Sequence, residues 1–137
     1  MEAVHQYVHN LIAMQKSTPI GAIICDSNTK EKVRESLQDF SAIQINYTFE
    51  NIPDFLTTFL NAIAQKQQLI VINLGSMLDL KILNMFEQLA TGQATLVHPT
   101  SGEIHTLQMG DSTIMLLLDQ HIYDQLPSEL LPFTYSL

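Results

Sequence analysis

The stretch QQLIVINLGS, residues 67–76, decides the fold class. Its centre, LIVINL, is an apolar run rich in β-branched residues, bounded by Gln67-Gln68 on one side and Gly75-Ser76 on the other. A continuous apolar run of strand length between turn signals reads as a strand buried on both faces, not as a strand with one wet face. Two further runs have the same character, IGAIIC at 20–25 and STIMLLL at 112–118. Strands of this kind belong to parallel sheets covered by helices on either side.

Working outward, the spacing of Val4, Val8, Leu11 and Ile12 predicts an amphipathic helix over 2–15, ended by Ser17-Thr18-Pro19. After the strand at 20–25, Asp26-Ser27-Asn28-Thr29 reads as a turn. Asn28 with Glu31 has the spacing of a capping box for a helix running to about Phe40. AIQINYT, 42–48, alternates and predicts a strand with one wetter face. Asn51 then offers a cap, Pro53 suits a first helical turn, and Ile52, Phe55, Leu56, Phe59, Leu60 and Ile63 form a broad apolar stripe. Residues 78–90 predict another helix, stopped by Gly92. ATLVH and EIHTLQ flank Pro99-Thr100-Ser101-Gly102, the turn chemistry of a β-hairpin, and a short helix at 121–125 and an edge strand at 133–137 close the chain. The expectation is one domain over residues 1–137. It is a three-layer α-β-α fold with a mainly parallel five-stranded sheet and a β-hairpin insertion.

Composition narrows the function classes. The chain has 137 residues, 46% of them hydrophobic, which suits a single compact core. No apolar stretch approaches the roughly 18 residues of a membrane span, and the N-terminus lacks the basic start and short apolar block of a secretion signal, so the reading is a cytoplasmic protein without a membrane partner. The lone Cys25 forms neither an internal disulfide nor a cysteine-based zinc site and reads as a small buried hydrophobe. The net charge is −8, and every Lys and Arg lies at or before Lys81. Residues 82–137 carry Glu87, Glu103, Asp111, Asp119, Asp124 and Glu129 without a base. A surface of this sign repels phosphate backbones, so nucleic acid is not an expected partner. It suits a basic protein partner, or serves only to keep the chain soluble.

The order of these parts carries a resemblance. The stretch FEQLATGQATLVHPTSGEIHTLQMGDSTIMLLLDQ, residues 86–120, followed by LPSELLPF at 126–133, resembles the second half of an AAA-type ATPase core. In the branch with a hairpin before the fourth strand, a helix leads to "GQ.T", a hairpin, a buried strand and "LP..LL.RF". Extending backwards, IQINYTFENIPDFLTTFLNAIAQKQQLIVINL, residues 43–74, resembles the second strand, second helix and Walker B strand of that family.

The catalytic motifs of the family are absent. A phosphate loop needs GxxxxGK[ST], so that successive backbone N–H groups face the phosphates and a lysine reaches the terminal one. Here the strand-to-helix turn is CDSNTKEK, residues 25–32, with no glycine, with Asp26 where an anion would sit and with Lys30 near the place of the family lysine. The resemblance places the Walker B acids at Asn73 and Leu74. A leucine cannot orient an attacking water, and magnesium prefers anionic oxygens. The sensor position falls near Asp119-Gln120 and the arginine finger at Pro132, with no arginine after Arg34. Fingers are worth about 10³ to 10⁵ in rate in related phosphoryl transfers, so the sequence does not read as an enzyme. An α/β fold of other ancestry, which never held these parts, accounts for the same absences. A strand followed by a loop and helix in LIVINLGSMLDLKIL also suits an anti-sigma-antagonist-like regulatory fold.

Other constellations are thin. His5 and His9 stand four apart on a predicted helix without a nearby third ligand, which reads as two solvated imidazoles rather than a metal site. His98 and His105 lie on opposite arms of the hairpin, and whether they face each other depends on a register that the sequence does not fix. His121 with Ser112 or Ser76 lacks the GxSxG elbow of a nucleophile. Met77, Met85, Met109 and Met115 read chiefly as core filler, with Met109-Gly110 and the hairpin tip as possible partner contacts. Ligands of open parallel sheets bind beyond the strand C-termini. In a family-like strand order that rim is Cys25, Asp26, Asn73, Asp119 and Gln120. The expected function is therefore a non-catalytic AAA-like domain, free of cofactor and metal, that works through protein contacts by self-assembly or by docking on an active ATPase. The alternative is a small-ligand-binding domain using the Cys25/Asp26/Asn73/Asp119/Gln120 rim.

Overall fold

A computed structural model describes residues 2–47, 52–75, 80–90, 93–97, 101–108, 110, 112–126 and 133–137. In chain order the elements are α1 (Glu2–Ala13), β1 (Ile20–Ile24), α2 (Lys30–Ser36) with a 3₁₀ turn at Leu37–Asp39, β2 (Ala42–Asn46), α3 (Ile52–Ala64) and β3 (Leu69–Gly75). Then follow α4 (Leu80–Ala90), the hairpin β4 (Gln93–Val97) and β5 (Ile104–Gln108), β6 (Thr113–Leu118), α5 (Gln120–Gln125) and β7 (Thr134–Ser136).

Five strands form one sheet in the order β2-β3-β6-β1-β7, and every neighbouring pair is parallel. The hairpin is a separate antiparallel pair with Val97 opposite Ile104 and Gln93 opposite Gln108. The three continuous apolar runs occupy the three inner places, β3, β6 and β1, where both faces need cover. β1 and β6 are buried along their whole length. The alternating run AIQINYT becomes the edge strand β2, with Gln44 and Asn46 exposed and Ile45 buried, as its period demands.

Two cores sandwich the sheet. On one face Phe55, Leu56 and Phe59 of α3, Ile82, Met85, Phe86 and Leu89 of α4 and Ile122 of α5 pack against Ile70, Ile72, Ile114, Leu116 and Leu118. On the other, Val4, Tyr7, Val8 and Leu11 of α1 and Val33 of α2 cover Ile23, Val71, Met115 and Leu117. Phe59 and Phe86 are fully buried and meet edge to face at 6.5 Å, each worth about 1.5–3 kcal/mol in apolar burial. The three-layer α-β-α expectation with its hairpin insertion therefore holds, and the sheet is parallel throughout.

Local corrections are few. α1 stops at Ala13, and residues 14–17 form a turn. The Asn28–Glu31 capping box is replaced by another arrangement. Thr29 takes the N-cap position without a side-chain bond to the helix, and Glu31 pairs with Arg34 at 2.8 Å instead. α5 begins one residue early, because Asp119 caps it. The C-terminus of α3 closes through Lys66 at φ 58°, with the Gln67 N–H donating to the Ala62 carbonyl at 3.2 Å, a left-handed cap that glycine usually supplies. The expected Asn51 cap, the Gly92 stop, residues 98–100 of the hairpin turn, Ser76, Met77, Met109, Asp111 and Pro132 lie outside the described residues.

Candidate functional site

The C-terminal ends of the parallel strands form the rim. Register places its residues side by side: Asn46 of β2 pairs with Asn73 of β3, Asn73 with Leu117 of β6, and Leu118 of β6 with Ile24 of β1. Asp119 and Cys25 follow directly on these last two paired residues. The β3–β6 register shifts between Asn73 and Gly75, so Gly75 also faces Leu118. The expected rim residues Cys25, Asp26, Asn73, Asp119 and Gln120 thus all emerge from the same edge of the sheet.

Their chemistry is inward and local. Asp26 fills the turn between β1 and α2 with its own carboxylate. Oδ1 accepts the Thr29 N–H at 2.9 Å, the Asn28 N–H at 2.9 Å and the Thr29 hydroxyl at 3.1 Å, while the Asp26 N–H donates to Thr29 Oγ1 at 3.0 Å. These hydrogen bonds, that from the Thr29 amide first, hold the Asp26 carboxyl below its ordinary range. In a phosphate loop such amides would face an anion brought by a ligand. Here the chain supplies the anion itself.

The other rim groups are engaged in the same way. Asp119, in extended conformation, accepts the Ile122 N–H at 2.8 Å and caps α5. Gln120 donates from Nε2 to Asp124 Oδ1 at 2.8 Å. Asn73 donates from Nδ2 to Asn46 Oδ1 at 3.3 Å. Cys25 is buried, its N–H donates to the Leu118 carbonyl at 3.0 Å, and burial pushes its thiol above the ordinary range. Lys30 and Arg34 pull the thiol the other way, whereas the Asp26 and Asp119 charges add to the rise. Leu74 is buried near the end of β3 and offers no polar side-chain atom to the rim.

Outside the rim, the histidines among the described residues do not converge. His5 lies 3.6 Å from Asp39 and 4.8 Å from the Phe40 ring, and His105 lies 3.4 Å from Glu103. His98 is outside the described residues, and His121 is exposed. Among the described residues no group of three His, Cys, Asp or Glu side chains could hold a metal ion, and no helix is long and apolar enough to cross a membrane. Sequence reasoning overlooked Asn46 and Thr29 as members of the rim. Asn46 had a readable signal, as the exposed-phase residue ending an alternating strand, whereas Thr29 looked like one of several equivalent turn residues.

Comparison with family models, with curated proteins and with solved structures gives no match.

Proposed function

We propose that this chain is a catalytically silent AAA-like α/β domain that works through protein contacts, either by assembling with itself or by docking onto an active ATPase. The observation that carries the reading is the turn after β1, where the Asp26 carboxylate takes the donors that a nucleotide phosphate would need. A second anion there would meet like charge at close range and find those amides occupied. With the hairpin left aside, the sheet runs second, third, fourth, first, fifth and is parallel throughout, an α/β core covered on both faces. Leu74 at the Walker B position and the absence of any arginine after Arg34 leave phosphoryl transfer without a water-orienting group or a cationic trigger.

Contact surfaces are then the part of the molecule left to act, and the acidic half from residue 82 onward is the first to test. The alternative, a small ligand at the rim, draws support from the gathering of Asn73, Asp119 and Cys25 at one edge. It is weakened by the local partners that Asp26, Asn73, Asp119 and Gln120 already have. The test is calorimetric titration with magnesium ATP, with phosphate release followed alongside and light scattering over a concentration series. No nucleotide binding together with concentration-dependent assembly is the expected result. Magnesium-dependent turnover would end the proposal.

A further inference from the structure

We propose that the outer edge of β5 is a docking edge for an extended, basic segment of a partner protein, which joins the hairpin as a third strand. This rests on the interaction reading above and names both the surface and the kind of partner.

The hairpin is a two-stranded sheet of its own, so the ladder leaves one edge of each strand open. The β4 edge is turned toward α4, where the Thr95 N–H donates to Gln88 Oε1 at 3.1 Å. That bond also fixes the phase of the ladder. Thr95 points its amide away from β5, so Thr106 opposite it belongs to a non-hydrogen-bonded pair and points its own N–H and C=O away from β4. The pair of Val97 with Ile104, two positions along, has the same phase. Thr106 and Ile104 therefore hold their backbone donors and acceptors outward, and neither N–H meets an acceptor among the described residues.

Natural sheets blunt such an edge with lysine, proline or a bulge. β5, IHTLQ, has no lysine or proline, and its register with β4 runs without a shift. Ile104 is 71% exposed, an apolar side chain that the protein's own packing leaves uncovered. Thr106, two residues on and so on the same face, is exposed as well. An open edge beside an uncovered apolar side chain suits strand addition, where main-chain bonds give affinity and alternate side chains give specificity.

Charge selects the occupant. Glu103 stands exposed at the entry to β5, Glu87 lies on α4, and no Lys or Arg follows Lys81. A segment carrying lysine or arginine is drawn to this part of the molecule, and an acidic one is repelled. A second copy of this chain, with its net charge of −8, is a poor occupant for the same reason. The partner's segment thus combines basic residues near Glu103 with β-branched or apolar residues that cover Ile104.

The probe is a fluorescent synthetic peptide of alternating lysine and valine, titrated onto the full chain, with hydrogen exchange read at single amides. Saturable binding is expected. The Thr106 and Ile104 amides should pass from rapid exchange in the free protein to protection in the complex, and a peptide of alternating glutamate and valine should protect neither. Thr106→Pro removes an outward donor while leaving the bonds to β4 in place, and it should abolish binding. The lysine peptide methylated on alternate backbone nitrogens should also fail, although its charge is unchanged. Glu103→Gln should weaken binding about two- to fivefold. Should Thr106→Pro unfold the hairpin, Ile104→Lys takes its place: it alters an exposed side chain, and like charge at the edge should abolish binding of the lysine peptide. No binding of that peptide overturns the proposal. So does binding that survives both backbone methylation and the edge variants, because charge attraction alone would then account for it. Neither result touches nucleotide binding or turnover, so the non-catalytic reading stands or falls on the ATP titration instead.

Discussion

Gly21 lies directly beneath Tyr7: a Cβ at Gly21 would stand 2.6 Å from the Tyr7 hydroxyl oxygen and 2.6 Å from Leu11 Cδ1. The crossing of α1 over β1 therefore depends on a missing side chain. Leu11 is fully buried, and the Tyr7 hydroxyl is fixed by bonds to Ala22 and Phe133, so neither neighbour can swing aside freely. Gly21→Ala should destabilise the domain by about 1–3 kcal/mol through overpacking. A fall in the urea midpoint with an unchanged slope would be the expected reading, and an unchanged midpoint would show that α1 can shift without loss.

Tyr7 gives the domain an alkaline limit. Burial pushes its phenol well above the ordinary tyrosine value of 10.0, with the hydrogen bond from the Ala22 amide acting weakly in the opposite direction. A group whose folded pKa is raised contributes stability in full below its unfolded pKa and loses it as pH rises from there toward the folded value. The native protein should thus lose stability from about pH 10 upward. Tyr7→Phe should lower stability at neutral pH by about 1–3 kcal/mol, because it removes two hydrogen bonds at a buried site, and should flatten this alkaline fall. Denaturation midpoints of both proteins between neutral and alkaline pH test it; parallel curves would sink the assignment.

Much of this architecture was legible from period alone. IGAIIC, LIVINL and STIMLLL announced buried strands because continuous apolar runs have no wet face to offer; AIQINYT announced only a strand with one wetter face, and its place at the edge comes from the structure. Residues 98–100 aside, the hairpin followed from turn residues between two alternating segments. Tyr7 was read only as part of a helix, since its bond to the Phe133 carbonyl spans 126 positions and no local pattern encodes such a pairing. Around the rim, the sequence placed Asp26, Asn73 and Asp119 at strand ends but could not choose among their partners. Asp, Asn and Thr side chains compete for the same few amides in a turn, which is why Asn28 was read as the cap and Asp26 proved to hold the turn.

Cys25 should behave as a sheltered thiol. It is 5% exposed, and burial raises its pKa, so little thiolate is present near neutral pH. A thiol-specific reagent should modify it slowly in the native protein and rapidly once the chain is unfolded by denaturant. Fast native labelling would mean that the end of β1 opens readily.

Asp26 should give the domain part of its resistance to acid. Its carboxyl is held low by the Thr29 and Asn28 amides and the Thr29 hydroxyl. A depressed folded pKa contributes stability that is fully present above the unfolded value near 3.9 and is lost as pH falls through the folded one. Asp26→Ala should be less stable than the native chain at neutral pH, and the gap should narrow at acid pH, as the pH falls below the unfolded value near 3.9. Chemical denaturation at the two pH values measures both ends, and an equal gap at each would show that the carboxylate charge is not what the turn uses.

Asp119 separates the two functional readings most directly. As an N-cap, its side chain needs only an oxygen to receive the Ile122 N–H, and serine supplies one nearly as well as aspartate. Asp119→Ala should therefore cost about 1 kcal/mol, with Asp119→Ser close to the native protein. Were Asp119 instead held in place to bind a cation or polar ligand, the charge itself would matter, and its removal would relieve repulsion among Asp26, Asp119 and the rim. Asp119→Ser would then gain stability in the absence of ligand. Thermal unfolding of both variants at low salt, where such repulsion is least screened, distinguishes a cap from a ligand-binding carboxylate.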